Sequence, residues 1–515
     1  MAKLLLALTV ARVLIAAVAG EILQIEVNGE SGNDTEDCLS GEEPCATLDY
    51  ALNGTSSSVS SVHYLLAPDV PHELRNNYSF YDGTNIRISS SLNGNRAYIE
   101  CIGNNTGLSF DHSQNLSFCD VTFNHCGSSH VTTSSDFSNF ESNGTSYLYT
   151  NITLFFIFCR DVTFDGVVVT NSTGTGVVFY STIGNNFISN SNFTYNRPVE
   201  DKPGGGGVAV EYIYCIPGDP SCSEKSGNSF NSTYSNGGSF TFRLCNFSDN
   251  EANTSNFNGD SFIVPHANTN VALGRGAGLS LLHKGNITNS RILVDNCTFI
   301  HNKAVWGRAM LIEFQDTSKE NEVNITNCYF YRNRCFFDSC NYAGTGGGGV
   351  RVQFASFHDH VIKNKVRFIN VTFHKNHAYF GGGLSFFTFP TYRNRSSSND
   401  LFFYNCTWNK NIARLGSAID LSLWNIKGFS DGSLVVSPYF EESTFVNNTI
   451  KYTKYYGTPT GIGAVYTDSV PLNFTGNNNF SGNIGSALVA LDATVEFRNN
   501  SRTYLKVMKA CLEEQ

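Results

Sequence analysis

Short stretches in which apolar and polar residues alternate recur along this chain, and most of them contain an aromatic residue. The residue two positions before the aromatic is small and apolar, as at Val121, Cys297 and Val371, and the residue between the two is often threonine. Successive side chains of a strand point to opposite faces of the sheet. The pattern therefore predicts many short strands, each with one buried face.

Asparagine follows the aromatic residue after three positions. The pair occurs at Phe193/Asn196, Phe247/Asn250, Phe299/Asn302, Phe330/Asn333, Phe373/Asn376, Trp408/Asn411, Phe445/Asn448, Phe480/Asn483 and Phe497/Asn500. We interpret Phe123 and Phe164 as earlier, degenerate copies. Asparagine tolerates a left-handed backbone and can hydrogen-bond its own turn, and stacked asparagine side chains can bond to one another. We therefore expect a left-handed turn at each asparagine of the motif.

A second motif, small residues followed by an aliphatic one, comes after most copies of the first. It begins at Gly205, Gly276, Gly307, Gly347, Gly381, Gly416 and Gly485. Glycine allows a tight corner, so the motif predicts the corner that starts the next strand. The glycine runs at 204–207 and 346–349 are not followed by Lys-Ser or Lys-Thr, which disfavours a phosphate-binding loop.

One such unit cannot bury its own aromatic residue, but stacked units create a continuous core. From Asn376 onward the asparagine residues are spaced by 35, 37 and 35 positions. This near-constant spacing predicts an all-β fold, a single right-handed parallel β-helix of roughly 12–16 rungs. An antiparallel sandwich is the alternative, although it would not repeat a turn residue and a glycine corner in this way. We predict one buried column formed by Phe299, Phe330, Phe373, Trp408 and Phe445.

The alternation of F-x-x-N with glycine-small-aliphatic over residues 190–500 resembles the repeats of the chlamydial polymorphic outer-membrane proteins, which are β-helical surface adhesins. Residues 32–52 (GNDTEDCLSGEEPCATLDYAL) resemble the opening segment of right-handed parallel β-helix domains in secreted invertebrate proteins, with a pectin-lyase-like fold. There, a loop closed by two cysteines precedes a short helix that caps the first rung. The resemblance implies the fold, and it suggests adhesion only by analogy.

The first residues predict the compartment. Lys3 precedes an apolar stretch over residues 4–18, and Ala17 and Ala19 give the small-x-small pattern of a signal-peptide cleavage site. We therefore assign residues 1–19 to a signal peptide, 20–60 to an N-terminal cap, 61–503 to the β-helix and 504–515 to a C-terminal tail. No later segment has the roughly 20 apolar residues of a membrane helix. We expect a secreted or extracellular chain, or the ectodomain of a longer membrane protein.

The tail contains Tyr504, Leu505, Val507 and Met508, and its spacing suggests one short amphipathic helix over residues 501–515. Such a helix would cover the last rung poorly. This expectation implies a truncated chain, a continuation into further domains, or end-to-end association.

Glycosylation is the second sign of secretion. The chain contains 22 Asn-x-Ser/Thr sequons. The candidate sites that we name are Asn286, Asn296, Asn324, Asn370 and Asn405. Asn296, Asn370 and Asn405 each lie three residues before a motif aromatic, an odd step that should point them away from the core.

The fifteen cysteines also suit an oxidising compartment. Their spacing suggests local disulfides between Cys38 and Cys45, Cys119 and Cys126, Cys215 and Cys222, and Cys335 and Cys340. The odd count leaves one thiol over, for which Cys511 is the candidate. Inward-facing cysteines at Cys245, Cys297, Cys328 and Cys406 indicate core packing or a disulfide between rungs.

Few side chains suit catalysis, metal binding or cofactor binding. Charged residues make up 15% of the chain, and the net charge of −10 offers no basic stripe for nucleic acid. The doublets Glu42-Glu43 and Glu441-Glu442 are interpreted as surface, while Asp120, Asp161 and Asp165 could still converge across rungs. His358-Asp359-His360 lacks an evident third metal ligand. We therefore expect no cofactor, no metal and no catalytic residue identifiable from sequence.

Polar insertions lengthen the repeat at residues 128–150, 211–238, 252–272 and 387–400. Insertions in a solenoid often build its binding face. We interpret the chain as a non-enzymatic extracellular glycoprotein for recognition, adhesion or structure, with glycans or other proteins as partners. The alternative is a carbohydrate-active enzyme, a polysaccharide lyase or a glycoside hydrolase, with a site in a groove of the β-helix.

Overall fold

The computed structural model describes residues 22–56, 61–92, 94–103, 106–127, 152–197, 204–213, 237–253, 276–284, 287–304, 307–315, 318–334, 346–355, 363–389, 397–423, 434–436, 438–450, 463–491, 493–498 and 507–509. These residues form a right-handed parallel β-helix, as the sequence predicts. The chain passes in turn through three long parallel sheets, called A, B and C below. Among the described residues, fourteen strands follow one another along sheet A, within the predicted range of rungs.

The strands of each sheet follow one another along the axis of the helix. Sheet A contains Leu23–Val27, Val62–Leu66, Ile86–Ser90, Gln114–Cys119, Arg160–Asp165, Asn185–Ser189, Ser239–Arg243, Arg291–Asp295, Glu322–Thr326, Lys365–Ile369, Ser397–Tyr404, Tyr439–Glu441, Leu472–Thr475 and Val495–Arg498, with Leu434–Val436 beside Ser397–Tyr404. Sheet B contains Pro71–Leu74, Ala97–Cys101, Val121–Asn124, Val168–Thr170, Asn192–Thr194, Asn246–Ser248, Thr298–Ile300, Tyr329–Tyr331, Thr372–His374, Thr407–Asn409, Thr444–Val446 and Asn479–Ser481.

Sheet C contains Asn77–Tyr81, Gly107–Asp111, Leu154–Ile157, Thr175–Tyr180, Gly204–Ile213, Leu279–Lys284, Met310–Gln315, Val350–Ala355, Leu384–Phe389, Ile419–Leu423, Val465–Asp468, Leu488–Leu491 and Val507–Lys509. Four shorter strands lie outside these paths, at Glu251–Asn253, Lys303–Ala304, Ile412–Ala413 and Thr449–Ile450. No helix in these described ranges is both long enough and apolar enough to cross a membrane.

Two short helices close the N-terminal end. The helix Leu48–Thr55 buries Leu48, Ala51 and Leu52 against the first rung, and the Thr47 side chain accepts a hydrogen bond from the Tyr50 amide at its start. The helix Glu36–Leu39 precedes it, and a disulfide joins Cys38 to Cys45. This disulfide and the capping helix confirm both expectations for this segment.

The predicted aromatic column is confirmed. Phe299, Phe330, Phe373, Trp408 and Phe445 lie at matching positions on successive strands of sheet B, and each is fully buried. Their ring centroids are 4.6–5.4 Å apart, and the rings are nearly parallel. Neighbouring motif aromatics extend the column at Phe193, Phe247 and Phe480.

The asparagine residues of the motif form a buried ladder. From Asn196 to Asn448, each side-chain Nδ2 donates to Oδ1 of the next asparagine at 2.9–3.1 Å. From Asn250 to Asn483, Nδ2 also donates to the aromatic carbonyl of the preceding rung at 2.8–3.0 Å. None of the eight ladder asparagines from Asn196 to Asn483 begins a sequon.

The sequence predicted a left-handed backbone at each ladder asparagine, and this prediction is wrong by one position. The positive φ belongs to the residue before it, for example 51° at Arg332 and 55° at Lys375. That residue turns the chain outward, which leaves the asparagine free to point into the core. The glycine corners do have positive φ, and a Cβ placed on Gly381 would lie 2.0 Å from the Leu384 carbonyl oxygen.

Two proposed copies of the motif belong to a different sheet. Phe164 pairs with Phe118 and Ile188 in sheet A, so the sheet B position of that rung is filled by Val169 instead. Phe497 likewise stacks on Phe474 of sheet A. Phe123 does lie in sheet B, in register with Val169. Sheets A and B share the alternation of one buried face, and sequence alone did not separate them.

The predicted Cys119–Cys126 disulfide is wrong. Cys126 bonds to Cys101, because Cys101 ends one strand of sheet B and Cys126 follows the neighbouring strand, in which Asn124 pairs with Glu100. Cys119 ends a strand of sheet A and is a free, half-buried thiol. Cys215, Cys222, Cys335, Cys340 and Cys511 lie outside the described residues.

The repeat cysteines are free and buried, as expected for core packing. Cys245, Cys297, Cys328 and Cys406 form no disulfide, and each thiol donates to backbone carbonyl oxygens, as Cys297 does to Asp295 at 3.3 Å. Burial raises the pKa of the Cys406 thiol to about 12. The thiol form therefore dominates at neutral pH, and these side chains act as small core residues.

The C-terminal tail does not follow the predicted helix. Val507–Lys509 forms a strand that pairs in parallel with Leu488–Ala490 and adds a strand to sheet C. The unpaired edge of Leu488–Leu491 offers hydrogen bonds that a helix could not use, so strand pairing prevails here. The rest of residues 499–515 lies outside the described part of the chain.

Candidate functional site

The outward faces of the three sheets differ in burial. In sheets A and B, most outward side chains are half-buried or exposed, as along Glu322–Thr326 and Thr298–Ile300. In sheet C, both faces are buried along several strands, as along Thr175–Tyr180 and Met310–Gln315, while Phe387, Ser422 and Asp468 on later strands are half-buried. Many outward side chains of sheet C are therefore withdrawn from water although they do not belong to the core of the coil.

Polar and charged side chains accumulate on this outer face of sheet C. The buried ones are Glu211, Ser280, Glu313, Gln315, Arg351, Gln353, Ser385 and Asp420. The inward positions of the same strands hold apolar residues such as Val350, Val352, Ile419 and Leu421. Burying a polar group costs free energy unless it is paired, so such a concentration indicates a functional site more than a packing layer.

Strand register arranges these side chains in two neighbouring columns. The first column runs through Arg351, Ser385, Asp420 and Tyr466, which are matched on successive strands. The second runs through Glu313, Gln353, Phe387, Ser422 and Asp468. Five adjacent rungs therefore bring an arginine, carboxyl groups, amides, hydroxyls and two aromatic rings to one surface.

Hydrogen bonds and ring contacts order the two columns. Glu313 Oε1 accepts from Nε2 of Gln315 at 2.5 Å and from Nε2 of Gln353 at 3.0 Å. The Arg351 guanidinium lies over the Phe387 ring, 4.9 Å from its centroid. These contacts hold the side chains in one arrangement, as a binding site requires.

Asp420 is a buried acid of the cluster whose pKa is strongly shifted. Its Oδ1 accepts from the Ser422 hydroxyl at 2.9 Å, and its Oδ2 accepts from the Ser385 hydroxyl at 3.5 Å. Burial raises the pKa of the Asp420 carboxyl to about 7; the nearby Asp468 also raises it, while Arg351 and the two serines lower it. Burial, followed by Asp468 and Asp420, also raises the pKa of Tyr466.

A buried arginine lies at the edge of the cluster. Arg308 Nη1 donates to the Gly346 carbonyl oxygen at 2.6 Å. Its Nε and Nη2 have no hydrogen-bond partner among the described residues. Burial, and then the charge of Arg351, lowers the pKa of Arg308 to about 9. Two guanidinium groups so close together favour an anionic partner, such as the carboxylate of a sugar acid.

The cluster has the elements of acid–base chemistry. A carboxyl that keeps its proton until near pH 7 can donate it to a leaving oxygen, while a second carboxylate nearby can activate water or stabilise positive charge. Asp420 and Asp468 supply such a pair on adjacent strands. Within the described ranges, no group of three or more His, Cys, Asp or Glu residues is arranged to hold a metal ion.

Replacing Asp420 should change how stability depends on pH. Between about pH 4 and pH 7 the folded chain keeps this proton and the unfolded chain has lost it, so folding binds a proton. The free energy of unfolding should therefore fall as pH rises across this window, and Asp420→Ser should remove that part of the fall. Asparagine is unsuitable, because it would create a sequon with Ser422. Parallel stability curves for the two proteins, measured by urea unfolding from pH 4 to 8, would contradict the assignment.

The acidic residues that the sequence suggested as candidates lie outside the sheet C cluster. Asp161 Oδ1 accepts from the Asn185 amide, and Asp165 Oδ1 accepts from Ser189 and Asn190, all on sheet A and its turns. Asp120 is a turn residue with a φ of 50°. Glu42 and Glu43 are exposed, as predicted. The structure does not bring these acids to sheet C, and His358–His360 lies outside the described residues.

The sequence does contain a signal for the cluster. After each glycine corner, polar residues alternate with aliphatic ones, as in Val350-Arg351-Val352-Gln353 and Ile419-Asp420-Leu421-Ser422. The polar cluster is missed when these strands are interpreted only as runs of aliphatic residues. A polar residue at the same alternating position on several successive rungs indicates a polar column on the outer face, although not its burial.

Three candidate glycosylation sites occupy one column. Asn296, Asn370 and Asn405 are exposed at the turn between sheets A and B, and each has a positive φ. Asn405 Nδ2 donates to Asn370 Oδ1 at 2.9 Å on the neighbouring rung. Asn324 is half-buried on the outer face of sheet A and donates to Glu322 at 3.1 Å. Asn286 lies outside the described residues.

We expect N-glycans at Asn296, Asn370 and Asn405, with partial occupancy. Asn370 and Asn405 lie about 4.8 Å apart along the axis, so sugar on one crowds the other. Peptide mass spectrometry after enzymatic deglycosylation in heavy-oxygen water should find deamidation at these asparagines. The buried Asn376 and Asn411, which lack sequons, are the internal controls. No deamidation at any of the three would contradict the prediction.

Comparison with known proteins finds only distant likenesses. No protein-family model matches the chain, and a comparison with curated proteins found no match. Similar solved structures include the Dettilon tailspike protein (11% identity, 91% of this chain and 68% of that one, TM-score 0.33). They also include pectate lyase Pel9A (11% identity, 85% of this chain and 82% of that one, TM-score 0.31). A third is the GH136 lacto-N-biosidase from Eubacterium ramulus (10% identity, 92% of this chain and 68% of that one, TM-score 0.33).

Such distant likenesses carry no argument about activity. The resemblance to the chlamydial repeats likewise remains a similarity of short motifs. The pairing of strands in the molecule itself establishes the class: this chain is a right-handed parallel β-helix protein.

Proposed function

We propose that this protein is an extracellular carbohydrate-binding β-helix whose ligand site is the outer face of sheet C. The supporting observation is the set of buried polar side chains on that face, from Glu313 to Asp420. Hydroxyl, amide and carboxyl groups pair with sugar hydroxyls, and aromatic rings such as Phe387 and Tyr466 pack against the apolar faces of sugars. The apparent signal peptide and the 22 sequons support an extracellular location.

The guanidinium groups of the cluster indicate which class of sugar the site would bind. Arg308 and Arg351 are both buried, and planar guanidinium groups bind carboxylates through paired hydrogen bonds. An acidic glycan would provide an acceptor for Nε and Nη2 of Arg308. The proposed ligand is therefore a glycan with at least one sugar acid.

A glycan array probed with the secreted full-length chain tests this function. We expect retention of acidic glycans and loss of that retention in Arg351→Gln. The matched control is Arg367→Gln, which removes the same charge from the outer face of sheet A, where Arg367 pairs with Glu322. Wild-type binding to no glycan, or equal losses in the two variants, would overturn the proposal. Circular dichroism of each variant checks that it remains folded.

The second candidate function is cleavage of the bound glycan. The specific observation that favours it is the raised pKa of Asp420 beside Asp468 and Tyr466. Glycosidases place one protonated and one ionised carboxyl on either side of the scissile bond. Glycans retained on the array should then release reducing ends, and Asp420→Ser and Asp468→Ala should each abolish release while Arg367→Gln does not. Binding without cleavage by the wild type would reject the enzyme and leave the binding function.

A further inference from the structure

The outer edge of sheet B carries a second, separate concentration of charge. The residue before each ladder asparagine has a positive φ, and on four successive rungs it is His301, Arg332, Lys375 or Lys410. The backbone turn directs these side chains outward, because the asparagine that follows points inward. Arg332 and Lys410 are exposed, and Lys375 is half-buried. We call Arg332, Lys375 and Lys410 the cationic strip.

Aromatic rings lie directly beside the strip. Tyr331 and His374 are neighbours on adjacent strands, with centroids 5.5 Å apart and planes within 15°. Tyr329 adds a third ring, 5.7 Å from Tyr331. The guanidinium of Arg332 lies over the Tyr331 ring at 5.0 Å, and Lys375 Nζ lies 5.9 Å from the same ring. The rings and the cations therefore form one continuous surface.

The charges of the strip are not neutralised by the protein. His301, at one end, is 3.5 Å from Asp249. Arg332, Lys375 and Lys410 have no acidic side chain within 4 Å in the part of the chain that the structure describes. Burial, and then the charges of Lys375, Lys410 and Arg332, lowers the pKa of His374. This local concentration of positive charge, in a chain of net charge −10, attracts anions from solution.

We infer that the cationic strip binds an acidic polysaccharide that runs along the axis of the β-helix, with its acid groups on the strip and its sugar rings against Tyr331 and Tyr329. The rungs supply about one cation every 4.8 Å. Duplex nucleic acid carries a charge about every 1.7 Å, which is far denser than the strip. A polymer with roughly one acid group per sugar matches the spacing better. This inference does not depend on the site on sheet C.

The test compares dextran sulfate with unmodified dextran, which share a backbone and differ in charge. Wild-type protein should bind dextran sulfate in a salt-dependent way and dextran much more weakly. The triple variant Arg332→Gln/Lys375→Gln/Lys410→Gln should bind dextran sulfate at least about tenfold more weakly. Tyr331→Ala should weaken binding several-fold, and Tyr331→Phe should retain it.

The matched control removes three cations from the outer side of sheet A. Lys363→Gln/Lys365→Gln/Arg367→Gln has the same net charge as the strip variant and should bind dextran sulfate as the wild type does. Equal weakening by both triple variants, equal affinity for dextran, or tighter binding of duplex DNA than of dextran sulfate would overturn the inference.

Discussion

Replacing Phe373 with alanine should lower the free energy of unfolding by about 3–5 kcal/mol. The Phe373 ring is fully buried, stacks between Phe330 at 5.1 Å and Trp408 at 5.4 Å, and packs against Phe368 at 6.0 Å. The flanking rings belong to strands whose spacing is fixed by backbone hydrogen bonds, so they cannot close the gap. The free-energy cost of the lost contacts and the free-energy cost of the cavity therefore add together.

Urea unfolding of wild type and variant at constant pH measures this loss. The matched control is Phe402→Ala, which removes a ring from the half-buried outer face of sheet A, where Phe402 stacks on Tyr439 at 5.3 Å. That ring is partly hydrated, so its loss should cost roughly 1 kcal/mol or less. Similar losses for the two variants would contradict the buried column as the main stabilising element at this rung.

The sequence predicted the repeated parts of the fold because each repeat imposes the same physical requirement. An aromatic that needs a neighbour above and below, and an amide that needs a partner on each side, recur at one position per rung, as at Phe330 and Asn333. A second buried ladder, through Asn321, Asn364 and Asn399, was not predicted. Each of these asparagines lies nine residues before a motif aromatic, at Phe330, Phe373 and Trp408, so the sequence does contain a constant spacing that indicates this ladder.

Short sequence separation correctly indicated the disulfide of the N-terminal cap, Cys38–Cys45, but not the disulfide between rungs of the β-helix. Cys119 and Cys126 are seven residues apart, but the intervening turn takes the chain from sheet A to sheet B. Cys101 is 25 residues from Cys126 and yet lies 4.9 Å from it between Cα atoms. In a solenoid, one complete coil returns the chain to the same position, so disulfide partners are separated by about one rung.

The sheet C cluster could not be predicted as a site from a single sequence. Asp420 and Arg351 are 69 residues apart, and only the register of two intervening strand pairs places them in one column. The burial that raises the pKa of Asp420 also depends on both faces of sheet C being covered, which the alternation of polar and apolar residues does not reveal. Alternation alone is typical of a face exposed to water.

Removing one amide from the buried ladder should be nearly as damaging as removing a core ring. Asn376 Oδ1 accepts a hydrogen bond from the backbone N–H of Asn333 at 3.1 Å and another from the side-chain Nδ2 of Asn333 at 2.9 Å. Its Nδ2 donates to the Phe330 carbonyl at 2.9 Å and to Asn411 Oδ1 at 3.1 Å. Asn376→Ala would leave these buried groups without partners and without water, at a cost of about 3 kcal/mol.

The matched control for Asn376→Ala is Asn327→Gly. Asn327 also belongs to a chain of side-chain hydrogen bonds, donating to Asp295 at 2.9 Å and accepting from Asn370 at 3.2 Å, but it is exposed. Glycine suits its φ of 54°, and water can replace the lost hydrogen bonds, so the variant should lose less than about 1 kcal/mol. Neither substitution affects a sequon, so the glycans of the two variants are the same. Two results of urea unfolding would contradict this prediction: equal losses in the two variants, or a loss below about 1 kcal/mol for Asn376→Ala. Either result would show that the buried hydrogen bonds of the ladder stabilise the fold no more than the hydrated hydrogen bonds of Asn327 do.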